Sequence, residues 1–314
     1  MFLIVTRTFP PEVGGMQNLM WGLAKSLAKI DLIKVFADYS ENHEEFDSQV
    51  SFSIERIKGI KLLRKYRKPH LVNEYLNQNP KVKCIISDHW KSLELIKIKN
   101  LKKTKTFCLL HSKEINHEIG SSLNKRIIKS TNNADYIIAN SHYTKKLAIK
   151  IGIDPLKINV IFPGIPKPNE IENVFKNKAE KIFKDSFPKI ITVARLDKRK
   201  GHDKILMLIK NLKPKFPKIK YISVGFGDEE DNLKKLLKEL SLENEVSFIK
   251  NIDHKLKISL ISESNLFLMP SRIEKKSVEG FGISFIEAAS YGVGSIGGKD
   301  GGASDAIYHN KTGL

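Results

Sequence analysis

KIITVARLDKRKGHDKILMLIKNL, residues 189–212, carries three local patterns in one stretch. KIITVA is a short run of apolar, mostly β-branched residues, the mark of a strand buried on both faces. RLDKRKGHD is polar and contains a glycine. Ile205, Leu208, Ile209 and Leu212 then recur at spacings of three and four, which is one face of a helix. Strand, polar loop and helix in that order make the repeating unit of a parallel α/β sheet.

The same order opens the chain. FLIVT (2–6) reads as a strand and RTFPPEVGG as a loop, and Met16, Leu19, Leu23, Leu27 and Ile30 fall at helical spacing. Further buried strands are expected at KCIIS, TFCLLH, DYIIAN and KINVIF, then at KYISVG, VSFI, NLFLMP and SIGG. DNLKKLLKEL and FIEAASY read as helices. FPGIPKP (162–168), with three prolines and a glycine, and the charged KNKAEKIFKD after it read as a connection between domains. The expected fold is therefore α/β, with two Rossmann-like domains, residues 1–165 and 166–314, facing a central cleft.

Composition narrows the class. The 314 residues are 41% hydrophobic, normal for a globular protein with real cores. No apolar run is long enough to span a bilayer, and MFLIVTRTFPPE has no signal-peptide cleavage site. Cys84 and Cys108 give neither a disulfide framework nor zinc spacing. A reduced, cytoplasmic protein is the expectation.

The net charge of +19, from 54 basic and 35 acidic residues, favours anionic partners: nucleic acid, acidic lipid headgroups or phosphorylated substrates. Lys, Ile and Asn are all abundant, so part of the surplus is compositional drift. The clustering is more specific. Between Arg56 and Lys83 stand nine Lys/Arg and one acid, Glu74. Ile57, Ile60, Leu63 and Tyr66 recur every third residue there, beside Lys58, Lys61, Arg64, Lys65, Arg67 and Lys68. That pattern predicts a basic amphipathic helix, either a membrane-surface element or a solvated face over an ordinary core stripe.

Three motifs carry chemistry. In PPEVGG (10–15), Gly14 and Gly15 let the backbone approach an anion at a helix N-terminus, or merely serve the turn. In ARLDKRKG (194–201), Arg195, Lys198, Arg199 and Lys200 suit a pyrophosphate, with Asp203 able to cap the next helix. In EGFGISFIE (279–287), the backbone N–H groups of Gly282 to Ser284 can meet a phosphate or sugar hydroxyl. Glu287 has a competing role, because Ser284-Phe-Ile-Glu287 has capping-box spacing. On one helix, Glu279 and Glu287 would lie about 12 Å apart, beyond the roughly 5–9.5 Å of a glycoside hydrolase pair; with Glu279 before the helix the distance is not fixed, but nothing else in the sequence supports hydrolysis. Gly292-Val-Gly294-Ser-Ile-Gly297 matches a dinucleotide fingerprint, but it follows a helix and precedes a strand, the reverse of the required order. There is no Asp-x-Asp, so any diphosphate must be neutralised by Arg, Lys and helix N-termini without a metal.

These stretches together resemble glycosyltransferase family 4, the large GT-B group of mostly bacterial hexosyltransferases. The matches are FPPEVGG, His111-Ser-Lys-Glu114, ANSHYT, VARLDKRKG, VGFG, VSFI, MPSR, EGFGISFIEA and DGGASDAI through KTGL, in family order across nearly the whole chain. MPSRIEKKSVEGFGISFIEA is similar to the subgroup of phosphatidylinositol mannoside mannosyltransferases. The resemblance implies a retaining hexosyltransferase using a UDP- or GDP-linked sugar, with no metal cofactor. Arg195 and Lys200 would hold the pyrophosphate and Glu287 the ribose. Glu279 would take the transferred sugar's hydroxyls, and Phe281, Gly282 and Ile283 would supply backbone contacts. Gly14 and Gly15 would close over the donor from the acceptor-side N-terminal domain, and His111 would flank the reacting carbon. His111 and Glu279 are the candidate catalytic residues.

The implied acceptor is a glycan or lipid-linked hydroxyl of the cell envelope. Expected partners also include an anionic membrane surface, peripheral on the inner face, and exclude nucleic acid. The family's Gly-x-Pro turn is Gly292-Val-Gly294 here, and the chain ends at Leu314 where the family continues, which leads to the expectation of an incomplete C-terminal domain. The rival readings are another GT-B enzyme, such as a sugar-nucleotide epimerase, and a non-catalytic basic module for membrane or nucleic acid.

Overall fold

The computed structural model of the chain describes residues 1–60, 63–98 and 103–314. Two compact units are present, Met1–Ile165 and Pro166–Leu314. The first holds a seven-stranded sheet, all pairs parallel, in the order β3-β2-β1-β4-β5-β6-β7. Its strands are β1 Phe2–Val5, β2 Ile33–Asp38, β3 Ser53–Ile57, β4 Cys84–Ser87, β5 Lys105–Leu110, β6 Tyr136–Ala139 and β7 Ile158–Val160. The crossovers carry helices α1 Gly15–Ala28, α2 His43–Ser48, α3 Arg64–Gln78, α4 Trp90–Leu93, α5 Ser122–Asn132 and α6 His142–Lys150.

The central strands read as nearly continuous hydrophobic runs because both faces are covered. Leu3, Val5, Ile85, Cys108 and Ile137 pack with Trp90 under α3 to α6, while Ile4, Val35 and Ala37 pack with Phe9 and Met20 under α1. β2 and β3 are absent from the strands read in the sequence. β2 begins directly after the helical stripe of α1, and β3 is more polar, with Ser53, Glu55 and Arg56 among its five residues.

Ile57 closes β3 and is buried, so the expected basic helix through 57–68 does not form as one element. The helix α3 starts only at Arg64, and Lys61 lies outside the described residues. Several of the cations counted there face inward. Arg56 bonds to Asp47 at 2.6 Å and to the Pro10 carbonyl at 2.5 Å. Lys68 is buried, pairs with Asp38 at 2.5 Å and donates to the Thr6 carbonyl at 2.6 Å. Burial lowers its pKa, and Asp38 opposes that shift. By contrast Ile60, Leu63 and Tyr66 are 69%, 48% and 60% exposed, so this part of the stripe faces solvent.

The second unit holds a five-stranded parallel sheet in the order β10-β9-β8-β11-β12. Its strands are β8 Lys189–Val193, β9 Lys220–Val224, β10 Val246–Ile249, β11 Leu266–Met269 and β12 Ser295–Gly297. The helices are α7 Asn173–Phe183, α8 His202–Leu212, α9 Glu230–Glu239, α10 His254–Ser262, α11 Ile283–Ser290 and α12 Ala303–Ala306. The charged stretch after FPGIPKP, expected as linker, is α7. Ala179 and Phe183 fall one turn apart and enter the core beside Leu260 and Ile261 of α10. Only residues 161–172 run between the units without helix or strand.

One buried carboxylate organises the loop ends of the first sheet. Asp88 accepts from the Thr6 hydroxyl at 2.8 Å, the Arg7 backbone N–H at 2.8 Å and the Ser92 hydroxyl at 2.7 Å. It thereby ties the loop after β1 to the loop after β4. Replacing it leaves buried donors unpaired. Asp88→Ala is expected to lower unfolding free energy by about 3 kcal/mol, read from the denaturant midpoint of the N-terminal unit. A midpoint equal to wild type would contradict this role.

Candidate active site

In the second sheet β8, β11 and β12 are adjacent, so the loops after them meet at one edge. The loop after β8 is anchored by the fully buried Leu196 and turns into α8 at Gly201, whose φ is 77°. A Cβ there would lie 2.5 Å from the Pro270 carbonyl oxygen, so this turn needs glycine for contact as well as conformation. Gly201 itself is the N-cap of α8, and the Asp203 carboxylate pairs with Arg272 at 2.8 Å instead of capping.

Arg195 projects into solvent and forms no ion pair among the described residues. Lys200 does not stand free. Its ammonium donates to Glu279 Oε2, and Arg199 Nη1 donates to the same oxygen at 2.6 Å. Burial alone would raise the Glu279 pKa, but Lys200 and Arg199 outweigh it and hold the carboxyl at about 2. Two residues assigned separately in the sequence, Lys200 and Glu279, are thus direct partners. Arg199, offered there only as a general cation, is a member of the same cluster.

The loop that carries Glu279 is also held by its backbone. The Glu279 carbonyl accepts from the Gly302 N–H at 2.8 Å, and the Arg199 carbonyl accepts from the Arg272 N–H at 2.8 Å. Phe281 is buried in the core, so only its main chain can serve a ligand. Gly282 takes φ 92° as N-cap of α11, where a Cβ would sit 2.5 Å from the Phe285 ring. Ile283 is the first helical residue, and its amide and that of Ser284 precede the first backbone bond of the helix, from the Phe285 N–H to the Gly282 carbonyl at 2.9 Å.

The capping-box reading of Glu287 fails on this geometry. The helix begins at Ile283, so Ser284 is its second residue and cannot be the N-cap. The Glu287 carboxylate pairs instead with Lys257 of α10 at 3.0 Å.

Behind Arg195 lies a network with no clear signal in the sequence. His202 is buried and contacts the Arg195 carbonyl through Nε2 at 3.1 Å, so Nε2 carries the proton. Its Nδ1 faces the Tyr221 hydroxyl at 3.0 Å and Ser223 Oγ at 3.3 Å. Tyr221 in turn meets Thr192 at 3.0 Å, whose hydroxyl donates to the Leu268 carbonyl. Burial pushes the His202 pKa down to about 4, so the ring is a neutral strut under the Arg195 backbone.

In the first unit, Gly14 is extended at φ 168° and caps α1, and a Cβ on Gly15 would meet nothing within 4 Å. That surface is open. His111 follows β5; its backbone N–H donates to Glu114 at 2.6 Å, and its Nε2 lies 3.1 Å from the Asp88 carbonyl. The carbonyl can only accept, so Nε2 is the donating nitrogen. Ser112, at φ 88°, makes the turn that brings Glu114 back.

A family model described as Glycosyltransferase Family 4 matches residues 13–167, and one described as Glycosyl transferases group 1 matches residues 173–314. The GDP-mannose-dependent alpha-(1-6)-phosphatidylinositol monomannoside mannosyltransferase of Mycolicibacterium smegmatis is 23% identical over 99% of this chain and 84% of its own length. The GDP-mannose-dependent monoacylated counterpart of Corynebacterium glutamicum is 24% identical over 97% of this chain and 82% of its own. Anabaena HepE, solved in complex with UDP-glucose, superposes with a TM-score of 0.79 at 18% identity, covering 100% of this chain and 85% of that one. Sucrose-phosphate synthase from Thermosynechococcus elongatus gives 0.78 at 18% identity with the same coverage.

The Glu279 cluster has a pH signature. Its folded pKa of about 2 lies below the ordinary 4.5, so the pairing contributes stability that is full above about pH 4.5 and lost as pH falls towards 2. Glu279→Gln is expected to flatten the acid dependence of the C-terminal unit's melting temperature across that window. It should also lower melting at neutral pH, because Lys200 loses its carboxylate and Arg199 keeps only Asp197 at 3.7 Å. A variant whose acid profile overlays wild type would rule the pairing out.

Proposed function

We propose a reaction for a chain that belongs to glycosyltransferase family 4 and has the GT-B fold: transfer of a hexose from a nucleoside-diphosphate sugar to an acceptor hydroxyl, with retention of anomeric configuration. The observation that carries this reading is the Arg199–Lys200–Glu279 cluster beside the free Arg195, at the C-terminal ends of neighbouring strands β8 and β11. Open α/β sheets bind ligands at that edge. Donor binding then exchanges partners. The pyrophosphate takes Arg195 and draws Lys200 away from Glu279, whose carboxylate turns to the sugar hydroxyls. Glu287, in reach of Lys257, accepts from the ribose hydroxyls, and the amides at the start of α11 meet the donor through Phe281, Gly282 and Ile283.

Charge on the departing diphosphate is stabilised by Arg195 and Lys200, so no metal is required. In the N-terminal unit, the residues we assign to the transfer are Gly14 and Gly15 at the bare start of α1 and His111 after β5. GDP-mannose and UDP-glucose are the donors that the similar proteins suggest. The acceptor we favour is a lipid-linked envelope glycan. The exposed Ile60, Leu63 and Tyr66, with Lys58, Lys65 and Arg67 around them, suit contact with an anionic membrane. Family membership removes the motive for the epimerase and binding-module readings.

Two outcomes are expected. Arg195→Ala should leave melting unchanged and weaken the thermal shift given by the preferred of GDP-mannose and UDP-glucose by about 1.5–3 kcal/mol in affinity. Glu287→Gln should do the same more weakly. Wild-type affinity in both variants would sink the donor assignment. Transfer should also persist in EDTA, with the product anomer matching the donor by NMR. A requirement for added magnesium or manganese would overturn metal independence, and an inverted product would overturn retention.

A further inference from the structure

The C-terminal ends of β1, β4 and β5 carry more positive charge than their own carboxylates balance. Val5 pairs with Ser87 and Ser87 with Cys108, so these three strand ends are side by side. Arg7 stands two residues beyond β1 and His89 two residues beyond β4, with Lys91 in the helix that follows. The carboxylates nearby are engaged. Asp88 accepts three hydrogen bonds from neighbouring groups, and Asp38 pairs with Lys68 at 2.5 Å and Arg64 at 3.6 Å. Glu94 holds Arg126 through both oxygens at 2.7 and 2.9 Å, and Glu114 accepts from His111.

Arg7, Lys65 and Lys91 have exposed side chains and no ion pair among the described residues. Lys91 Nζ lies 5.2 Å from the centre of the buried Trp90 ring, and the Arg126 guanidinium 5.4 Å from it. The field of these cations is felt locally. His89 is pushed down to about 2 by burial and then by Arg7, Lys91, His111 and Lys68. The Lys91 pKa is lowered by burial and then by Arg7 and Arg126, with Glu94 opposing and Lys65 adding to the shift. Uncompensated like charges at a ligand-binding edge are balanced when an anion arrives.

We propose that Arg7 and Lys91 form a subsite for a phosphate group on the acceptor, as a monoester or as the phosphodiester of a lipid headgroup. A phosphate suits the site, because Lys binds it as a compact point charge and Arg through its planar fork of donors. His111 bonds to the Asp88 carbonyl, one residue before His89. A phosphate held here therefore places a neighbouring hydroxyl of the same acceptor near the His111 ring. Calling the ligand the acceptor rests on the transferase reading; the anion site itself does not.

The test fills the donor site with whichever of GDP or UDP raises the melting temperature. Inorganic phosphate is then titrated by calorimetry into wild type, Arg7→Gln, Lys91→Gln and the double variant. Flotation with phosphatidylcholine vesicles, with and without phosphatidylinositol, runs in parallel. Each single variant should bind phosphate roughly ten- to a hundredfold more weakly, with nucleotide shifts unchanged. Flotation that needs phosphatidylinositol and is lost in the double variant identifies a lipid phosphodiester. Phosphate binding without such flotation identifies a soluble phosphorylated acceptor. The proposal is overturned if wild type takes up neither phosphate nor the anionic vesicles, or if the variants match it in both. If neither nucleotide shifts melting, that failure belongs to the transferase reading, and the phosphate titration still decides the subsite.

Discussion

Parallel pairing is the constraint from which the rest of the architecture follows. Every strand pair in both sheets is parallel, so each chain segment must return across a face before the next strand can begin. Those returns are the helices, and they bury the strands on both sides. They also deliver every strand-to-helix loop to the same edge of its sheet. Arg195, Lys200 and Glu279 meet at one such edge, and Arg7, His89 and His111 at the other. Neither cluster is local in sequence. Each exists because neighbouring strands end together.

Those edges are held by buried polar groups, and the energetics of such groups are asymmetric. A made hydrogen bond contributes about 1 kcal/mol net, while an orphaned buried partner costs about 1–3 kcal/mol. Asp88 and His202 therefore act less as sources of stability than as fixed points. Asp88 locks the Arg7 loop to the start of α4, and His202 fixes the Arg195 carbonyl against Tyr221. Both leave the nearby cationic side chain at liberty while immobilising its main chain. That is the preorganisation an anion site needs.

The sequence revealed the strongly buried strands, the break near FPGIPKP and the loops that carry charge, because each of these has a local cause. A run such as KIITV or CIIS can only be buried, and GHD after it can only be a turn into a helix. β2 and β3 lacked that signal, being partly polar, and β2 also follows directly on misleading helical spacing. The three-residue rhythm from Ile57 to Tyr66 spans a strand end, a loop and a first helical turn, and periodicity alone cannot see those breaks. At the site, residue types were legible and partners were not. Glu279 lies eighty residues from Arg199 and Glu287 thirty from Lys257. Ser284 to Glu287 has the spacing of a cap, but Gly282, in a left-handed conformation, caps the helix two residues earlier.

The carboxylate of Glu279 also bears on how long a nucleotide can stay. In the proposed reaction it is a resident anion, present at full effective concentration, that competes with every diphosphate for Lys200. The competition is weaker against the loaded donor, whose sugar hydroxyls then occupy the carboxylate. Once the sugar has gone, however, Glu279 has lost its hydroxyl partners and is drawn back to the two cations. Release is then assisted from inside the molecule, and accumulation of spent nucleotide stalls turnover less than it would at a site of bare cations.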